Sequence, residues 1–135
     1  LLYNIGDIYK EQEDYVKAKE FYFKSLKISS EIQDQTYTPI ILNSIADIYR
    51  ISKKFEDALF YLQKSKSIIE KTKNEETLCH IYIELSSIYF DKNNADSSMY
   101  YAKKGYALSQ KNEDAYSICK SQHFIGINYL EENIN

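Results

Sequence analysis

The chain has 135 residues, 44% of them apolar, and its seventeen Lys and Arg and twenty Asp and Glu are mixed along the sequence. This length fits one domain with its own apolar core. Because no stretch is strongly basic, direct binding to nucleic acid is not expected. No segment approaches the about 20 consecutive apolar residues of a membrane span, and no secretory leader opens the sequence. We expect a soluble segment without membrane contact, and its compartment, cytoplasmic or periplasmic, stays open.

Helix-breaking residues are rare, with three Gly and one Pro in the whole chain. Few positions therefore favour the positive φ of a tight turn or the missing N–H of proline, and long helices are predicted. The sequence begins at Leu1 rather than at Met, inside the first predicted helix. We therefore expect it to be a fragment of a longer chain.

An internal repeat of forty residues runs through the sequence. An aromatic position and an apolar position recur with this spacing, and a small residue follows the apolar one each time. These positions are Tyr9, Tyr49, Tyr89 and Tyr129; Ile5, Ile45, Leu85 and Ile125; and Gly6, Ala46, Ser86 and Gly126. Agreement in four registers predicts an array of similar structural units.

Within each unit the apolar spacing is helical. Phe55, Ala58 and Leu62 follow one another at intervals of three and four residues, which places them on one helix face. Polar segments at 10–14, 52–54 and 91–94 separate two helices in each unit, so every unit is predicted to be a helical hairpin. The hairpins cover about 1–33, 35–73 and 75–111, and a final unpaired helix covers about 113–131. Thr38 and Pro39 are predicted as the N-cap and first residue of the third helix.

The first unit carries a likeness that can be named. Ile5–Tyr9, followed by Tyr15, Ala18, Tyr22 and Leu26, resembles the tetratricopeptide signature of a small residue, an aromatic, an alanine and a second aromatic. The resemblance covers nearly the whole chain. It implies an all-α fold, a right-handed α-solenoid of three complete hairpins plus one helix, in a single domain over 1–135. The forty-residue period exceeds the usual about 34 and is similar to long-period arrays of bacterial regulators and motor-protein light chains.

No sequence motif supports catalysis, because the chain lacks a phosphate-binding glycine loop, an HExxH motif and a nucleophile elbow. A metal site formed from Cys79, His80, Cys119 and His123 is the alternative considered. Cys79 and Cys119 occupy equivalent positions of successive repeats, and packed helices lie about 8–10 Å apart, which is too far for a disulfide and awkward for shared ligation. We expect a protein that is not an enzyme, with unpaired thiols and neither metal nor cofactor.

A ligand surface is expected on the first helix of each unit, because these helices line the concave side of a right-handed stack. The candidate ligand-binding residues are Tyr3, Asp7, Lys10, Asn43, Asp47, Arg50, His80, Ile83, Ser87, Phe90 and His123. An extended peptide would place its backbone amides against Asn43 and an apolar side chain near Phe90. In the alternative, Asp7 with Lys10 and Asp47 with Arg50 are intrahelical ion pairs worth about 0.2–0.5 kcal/mol each, without a role in binding.

The sequence thus favours a protein- or peptide-binding module. Its resemblance to long-period arrays implies the regulatory or sensory segment of a larger bacterial signalling protein, and an architectural scaffold or self-association module is the alternative. Apolar residues surround most of the final helix, among them Ile118, Phe124, Ile125, Ile127 and Leu130. This helix is either truncated from its partner or covered by a second molecule, so a homodimer through it is one expected outcome.

Overall fold

The computed structural model describes residues 1–113 and 115–134. These residues form seven α-helices and no strand, which confirms the all-α prediction. The helices are α1 (Leu2–Glu11), α2 (Tyr15–Glu31), α3 (Tyr37–Ile51), α4 (Phe55–Thr72), α5 (Glu75–Asp91), α6 (Ala95–Lys111) and α7 (Ala115–Ile134). None of the helices in the described part of the chain has the length and apolar content that a bilayer span needs. The chain divides into two compact units, Leu1–Ile68 and Ile69–Asn135. We call these the first unit and the second unit, and each is larger than one hairpin of the sequence repeat.

The turns after the helices share one backbone conformation although none of them contains glycine. Six residues have φ between 53° and 60°: Glu13, Gln33, Lys53, Lys73, Asn93 and Glu113. In the first turn the N–H of Asp14 donates to the carbonyl of Tyr9 at 2.9 Å, and that of Glu13 donates to Lys10 at 3.0 Å. Such bonds satisfy the last carbonyls of a helix and require a left-handed residue. The scarcity of glycine therefore does not keep positive φ out of these turns, contrary to the sequence prediction.

Replacing Lys53 with glycine is expected to raise the free energy of unfolding by about 0.5–1 kcal/mol, because it relieves the left-handed strain of a residue with a Cβ. Asn93→Gly is the matched control, since asparagine already tolerates this conformation and its replacement should change stability less. Urea unfolding of both variants measures the difference. A loss of stability in Lys53→Gly would show that the side chain matters more than the backbone strain.

The start of α3 differs from the prediction. The helix begins at Tyr37, and Asp34 Oδ1 accepts hydrogen bonds from the N–H groups of Thr36 at 2.8 Å and Tyr37 at 2.9 Å. Thr38 is buried, and its hydroxyl donates to Ser29 Oγ at 3.1 Å. Thr38 is therefore not the N-cap, because the upstream carboxylate already takes the first N–H groups and the threonine hydroxyl faces α2.

In the first unit, α1 and α2 meet at a glycine. The Tyr22 side chain is fully buried in a cluster with Ala18, Ile41 and Ile45. A Cβ atom at Gly6 would lie 2.6 Å from two carbons of the Tyr22 ring, closer than non-bonded carbons approach. The ring therefore fits against α1 only because position 6 has no side chain.

In the second unit, the equivalent positions hold a buried polar group. Ser86 Oγ donates to the carbonyl of Ser98 at 2.9 Å, and Ser98 Oγ donates to the carbonyl of Ser86 at 3.0 Å. Asn128 Nδ2 donates to Ser98 Oγ at 2.9 Å. All three side chains are fully buried, and their mutual bonds connect α5, α6 and α7. These bonds offset only part of the loss of water, because Asn128 Oδ1 accepts no hydrogen bond from the described residues.

Candidate functional site

In the first unit, polar side chains of α1 and α3 meet. The Tyr3 hydroxyl lies 3.2 Å from Ser44 Oγ, and Lys10 Nζ lies 2.5 Å from Asp47 Oδ2. We call these residues and their polar neighbours on the two helices the α1–α3 polar cluster: Tyr3, Asp7, Lys10, Asn43, Ser44, Asp47 and Arg50. All six candidate residues of the first unit belong to it.

Asp47 is the charged centre of this cluster. Its second oxygen, Oδ1, accepts a hydrogen bond from the Arg50 guanidinium at 2.9 Å, so one carboxylate joins cations of two helices. Burial raises the pKa of Asp47, but the hydrogen bonds and charges of Lys10 and Arg50 together lower it by a larger amount. The pKa of Asp47 therefore lies below its ordinary value. The carboxylate is therefore ionised at neutral pH and holds both cations in place.

The Asp7 carboxylate is bound by a core residue of α2 rather than by a residue of its own helix. The Tyr22 hydroxyl donates to Asp7 Oδ1 at 2.5 Å. Burial raises the pKa of Tyr22, and the neighbouring carboxylate raises it further, so the phenol keeps its proton. The intrahelical ion pair expected between Asp47 and Arg50 is present, whereas Lys10 reaches Asp47 on the next hairpin instead of pairing along α1.

Asn43 leaves one polar atom of the cluster unsatisfied. It lies one turn before Asp47 on α3, and its side chain is half-buried. Its Oδ1 is shielded from solvent and accepts no hydrogen bond from the described residues. A buried acceptor without a donor is unfavourable by about 1–3 kcal/mol, so this atom gains from any ligand donor that reaches it.

The second unit holds the other five candidate residues. Phe90 on α5 is half-buried, and its ring centre lies 5.9 Å from that of Phe124 on α7. His123 is exposed, with its ring edge-on to Phe124 at 5.7 Å. His80 is exposed and Ser87 half-buried. Phe90, Phe124 and His123 thus form an aromatic contact between α5 and α7.

Ile83 is part of the contact between α5 and α6 in this unit. Its side chain is 2% exposed, and its Cγ1 lies 3.2 Å from where a Cβ on Gly105 would be. The missing side chain of Gly105 lets α6 approach α5 closely enough to bury the isoleucine. Ile83 is therefore not accessible to a ligand in this structure.

An interhelical ion pair in the second unit was not predicted. Lys120 Nζ of α7 lies 3.2 Å from Glu84 Oε1 of α5. It resembles the Lys10–Asp47 pair, because in both pairs the two residues lie on the first helices of consecutive repeats. A helix-spacing rule applied to one helix at a time cannot detect either pair, because each depends on how two helices pack.

Cys79 is buried, and its thiol donates to the carbonyl of Gly105 at 3.2 Å. The Cys119 side chain lies outside the described residues. Two unpaired thiols per chain therefore stay a prediction.

A family model described as Tetratricopeptide repeat matches residues 1–71. BtubC (BKLC) from P. vanneervenii is similar with a TM-score of 0.89 and 21% identity, over 98% of this chain and 55% of that one. Aspartyl phosphate phosphatase F from Bacillus subtilis has a TM-score of 0.86 and 18% identity, over 92% and 32%. TPR-like repeats from Podosopora anserina have a TM-score of 0.81 and 16% identity, over 98% and 65%. No curated protein sequence matches the chain.

These similarities concern the fold. The three identities lie between 16% and 21%, and the chain spans between 32% and 65% of the length of the similar proteins. They confirm the prediction of tetratricopeptide-like helical hairpins.

Proposed function

Because the chain belongs to the tetratricopeptide repeat family, we propose that it is a protein-interaction module whose α1–α3 polar cluster binds an extended peptide segment of a partner protein. The observation that carries this proposal is the gathering of a charged triad and an unsatisfied amide oxygen from two hairpins. Polar residues whose only role is to cover the exposed surface of their own helix have no need to contact the side chains of a second helix.

The cluster supplies orientation to the bound peptide. Asp47 fixes the side chains of Lys10 and Arg50, so these donors are ordered before the ligand arrives and lose little conformational entropy on binding. Rotation of the Asn43 amide towards solvent would let Oδ1 accept a peptide N–H, which would give this acceptor the donor that it lacks. A few such polar groups determine orientation and register in peptide recognition.

The aromatic contact of the second unit suits an apolar side chain. Phe90 and Phe124 present ring surface, and His123 adds a polar edge beside it. Burying one apolar side chain on such a surface contributes about 1.5–3 kcal/mol. We therefore propose that this contact, taken by itself, is a place where the second unit binds an apolar side chain of a protein partner.

The larger role we propose is that of a regulatory or sensory segment in a bacterial signalling protein. Its support is the similarity in fold to the bacterial aspartyl phosphate phosphatase, which extends over 92% of this chain. A partner peptide that binds the α1–α3 polar cluster would then be the regulatory input.

A scaffold or self-association module is the second candidate. It is favoured by Tyr129 and Leu130 on α7, which are 51% and 65% exposed. The homodimer expected through the final helix belongs to this candidate. Sedimentation velocity over a range of concentrations separates the two, because a self-association module would form dimers whereas a peptide-binding module need not.

Changing the polar cluster should weaken peptide binding without unfolding the protein. Peptides selected on the wild-type chain from a random displayed library serve as ligands, and their affinities for Asn43→Ala and Arg50→Ala are measured by calorimetry. We expect a loss of about fivefold or more, equivalent to about 1 kcal/mol, for each variant. The midpoint temperature of thermal unfolding should not be lower for Asn43→Ala than for the wild type, because the substitution removes a buried acceptor that has no donor.

The controls are Lys24→Ala and Lys64→Ala on the second helices of two hairpins. Lys24 forms an exposed pair with Glu20, and Lys64 lies over the Phe60 ring. Both variants should bind the selected peptides with wild-type affinity. If they lose binding while Asn43→Ala and Arg50→Ala retain it, the second helices carry the functional surface and the proposed site is incorrect.

A further inference from the structure

The side of α7 that packs on α5 and α6 is polar at two positions where the equivalent helices have isoleucine. Counted in steps of forty residues, these positions are Ile41, Ile81 and Ser121, and Ile48, Ile88 and Asn128. Ser121 and Asn128 are both fully buried. Because they are seven residues apart, they lie on one side of the helix, about two turns from each other. The packed side of α7 therefore differs in chemistry from that of the helices before it.

The matching helix of the first unit is held by an apolar contact. Ile41 and Ile48 of α3 are buried in one core cluster with Ala18 and Tyr22 of α2. Buried isoleucine side chains stabilise such a contact in proportion to the apolar area that they remove from water. The hydrophobic effect thus holds α3 at two positions where it cannot hold α7.

The residue of α6 that meets Asn128 is polar as well. Ser98 occupies the position of Ala18, and Asn128 that of Ile48. Asn128 Nδ2 donates to Ser98 Oγ at 2.9 Å and to the Phe124 carbonyl of its own helix at 2.8 Å. A buried hydrogen bond contributes little net stability, because it replaces hydrogen bonds to water. The Ser98–Asn128 bond therefore holds α7 less firmly than an apolar contact would.

Two polar atoms on the packed side of α7 have no hydrogen-bond partner among the described residues. They are Asn128 Oδ1 and Ser121 Oγ, and the latter lies 3.3 Å from where a Cβ on Gly105 of α6 would be. Burial removes water from both atoms without supplying a replacement. When α7 moves away, water can bond to both atoms and to Ser98. Exposing this side is therefore less unfavourable than exposing an apolar one.

From these observations we infer that α7 is a releasable helix, which leaves its place on α5 and α6 while those two helices stay folded. The Ser98–Asn128 hydrogen bond is the latch that returns it to one position. A shift of α7 by one turn would bring Phe124 to Ser98, and its side chain cannot form this bond. Release uncovers the surfaces of α5 and α6 that α7 covers. This motion is independent of peptide binding by the α1–α3 polar cluster.

Amide hydrogen exchange of the full chain, followed residue by residue by NMR at pH 7, tests the inference. The amides of residues 121–129 on α7 should exchange at least about tenfold faster than those of residues 81–88 on α5. The reason is that a released helix loses the packing that stabilises it, whereas α5 stays folded. Equal exchange on the two helices would mean that they open as one cooperative unit, and would overturn the inference.

Two variants test whether the polar residues cause the release. Ser98→Ala/Asn128→Ile installs the alanine and isoleucine of the first unit and should slow exchange on α7 at least about tenfold. Ser121→Ala removes a buried hydroxyl without a partner and should slow it at least about fivefold.

The control is Gln122→Ala at the exposed neighbouring position. It raises helix propensity about as much as Ser121→Ala does, so it should change the exchange rate on α7 less than about threefold. Ser121→Ala decides the test by itself if the double variant does not fold. Exchange on α7 that neither variant slows beyond the control overturns the inference.

Discussion

Replacing Gly6 with alanine is expected to lower the free energy of unfolding by about 1–3 kcal/mol, although alanine favours helix by about 1 kcal/mol over glycine. The new Cβ would lie 2.6 Å from two carbons of the Tyr22 ring and 3.3 Å from the Ala18 carbonyl. The ring is fully buried and cannot move aside without disturbing the core of the first unit. Urea unfolding followed by circular dichroism measures the loss.

Two further variants separate steric overlap from helix propensity. Gly126→Ala adds the same methyl group where no atom lies within 4 Å, so its stability should be unchanged or higher by up to about 1 kcal/mol. The double variant Gly6→Ala/Tyr22→Leu installs the pair that the second hairpin has as Ala46 and Leu62. It should be at least about 1 kcal/mol more stable than the sum of the single changes predicts. Additive effects would show that Gly6 and Tyr22 do not constrain one another.

The sequence predicts the helices and their pairing well, because both depend on periodicity. The spacing of Ile45, Ala46 and Tyr49 defines one face of α3, and that face is packed in the structure. The turns were less predictable. Lys53 adopts a positive φ because two hydrogen bonds at the end of α3 require it, and its residue type gives no indication of this.

The candidate site was predictable only within single helices. The Asp47–Arg50 pair follows from a spacing of three residues, whereas the partnership of Lys10 with Asp47 depends on how far one hairpin is displaced along the next. Ile83 looked accessible by its place on α5, but the opposite residue is Gly105, and close helix approach buries it. Packing between helices therefore determines which residues of a predicted face are available for binding.

The Asp47→Asn variant is expected to unfold more easily than the wild type at pH 7, by about 1–2 kcal/mol, because it leaves two partly buried cations without their shared carboxylate. The pKa of Asp47 is lowered in the folded protein, so folding favours the ionised form. Its contribution to stability is complete above the unfolded pKa of about 3.9 and is lost as the pH falls through the lower folded value.

The stability gap between the wild type and Asp47→Asn should therefore stay constant from pH 7 to about 5 and should narrow as the pH falls below about 4. Urea unfolding at a series of pH values measures this gap directly. Glu20→Gln, which removes an exposed ion pair with Lys24, is the control and should cost at most about 0.5 kcal/mol at pH 7. A gap that persists unchanged to pH 2 would mean that shape rather than charge makes Asp47 stabilising. The Lys10–Asp47–Arg50 triad would then not be the electrostatic link between α1 and α3.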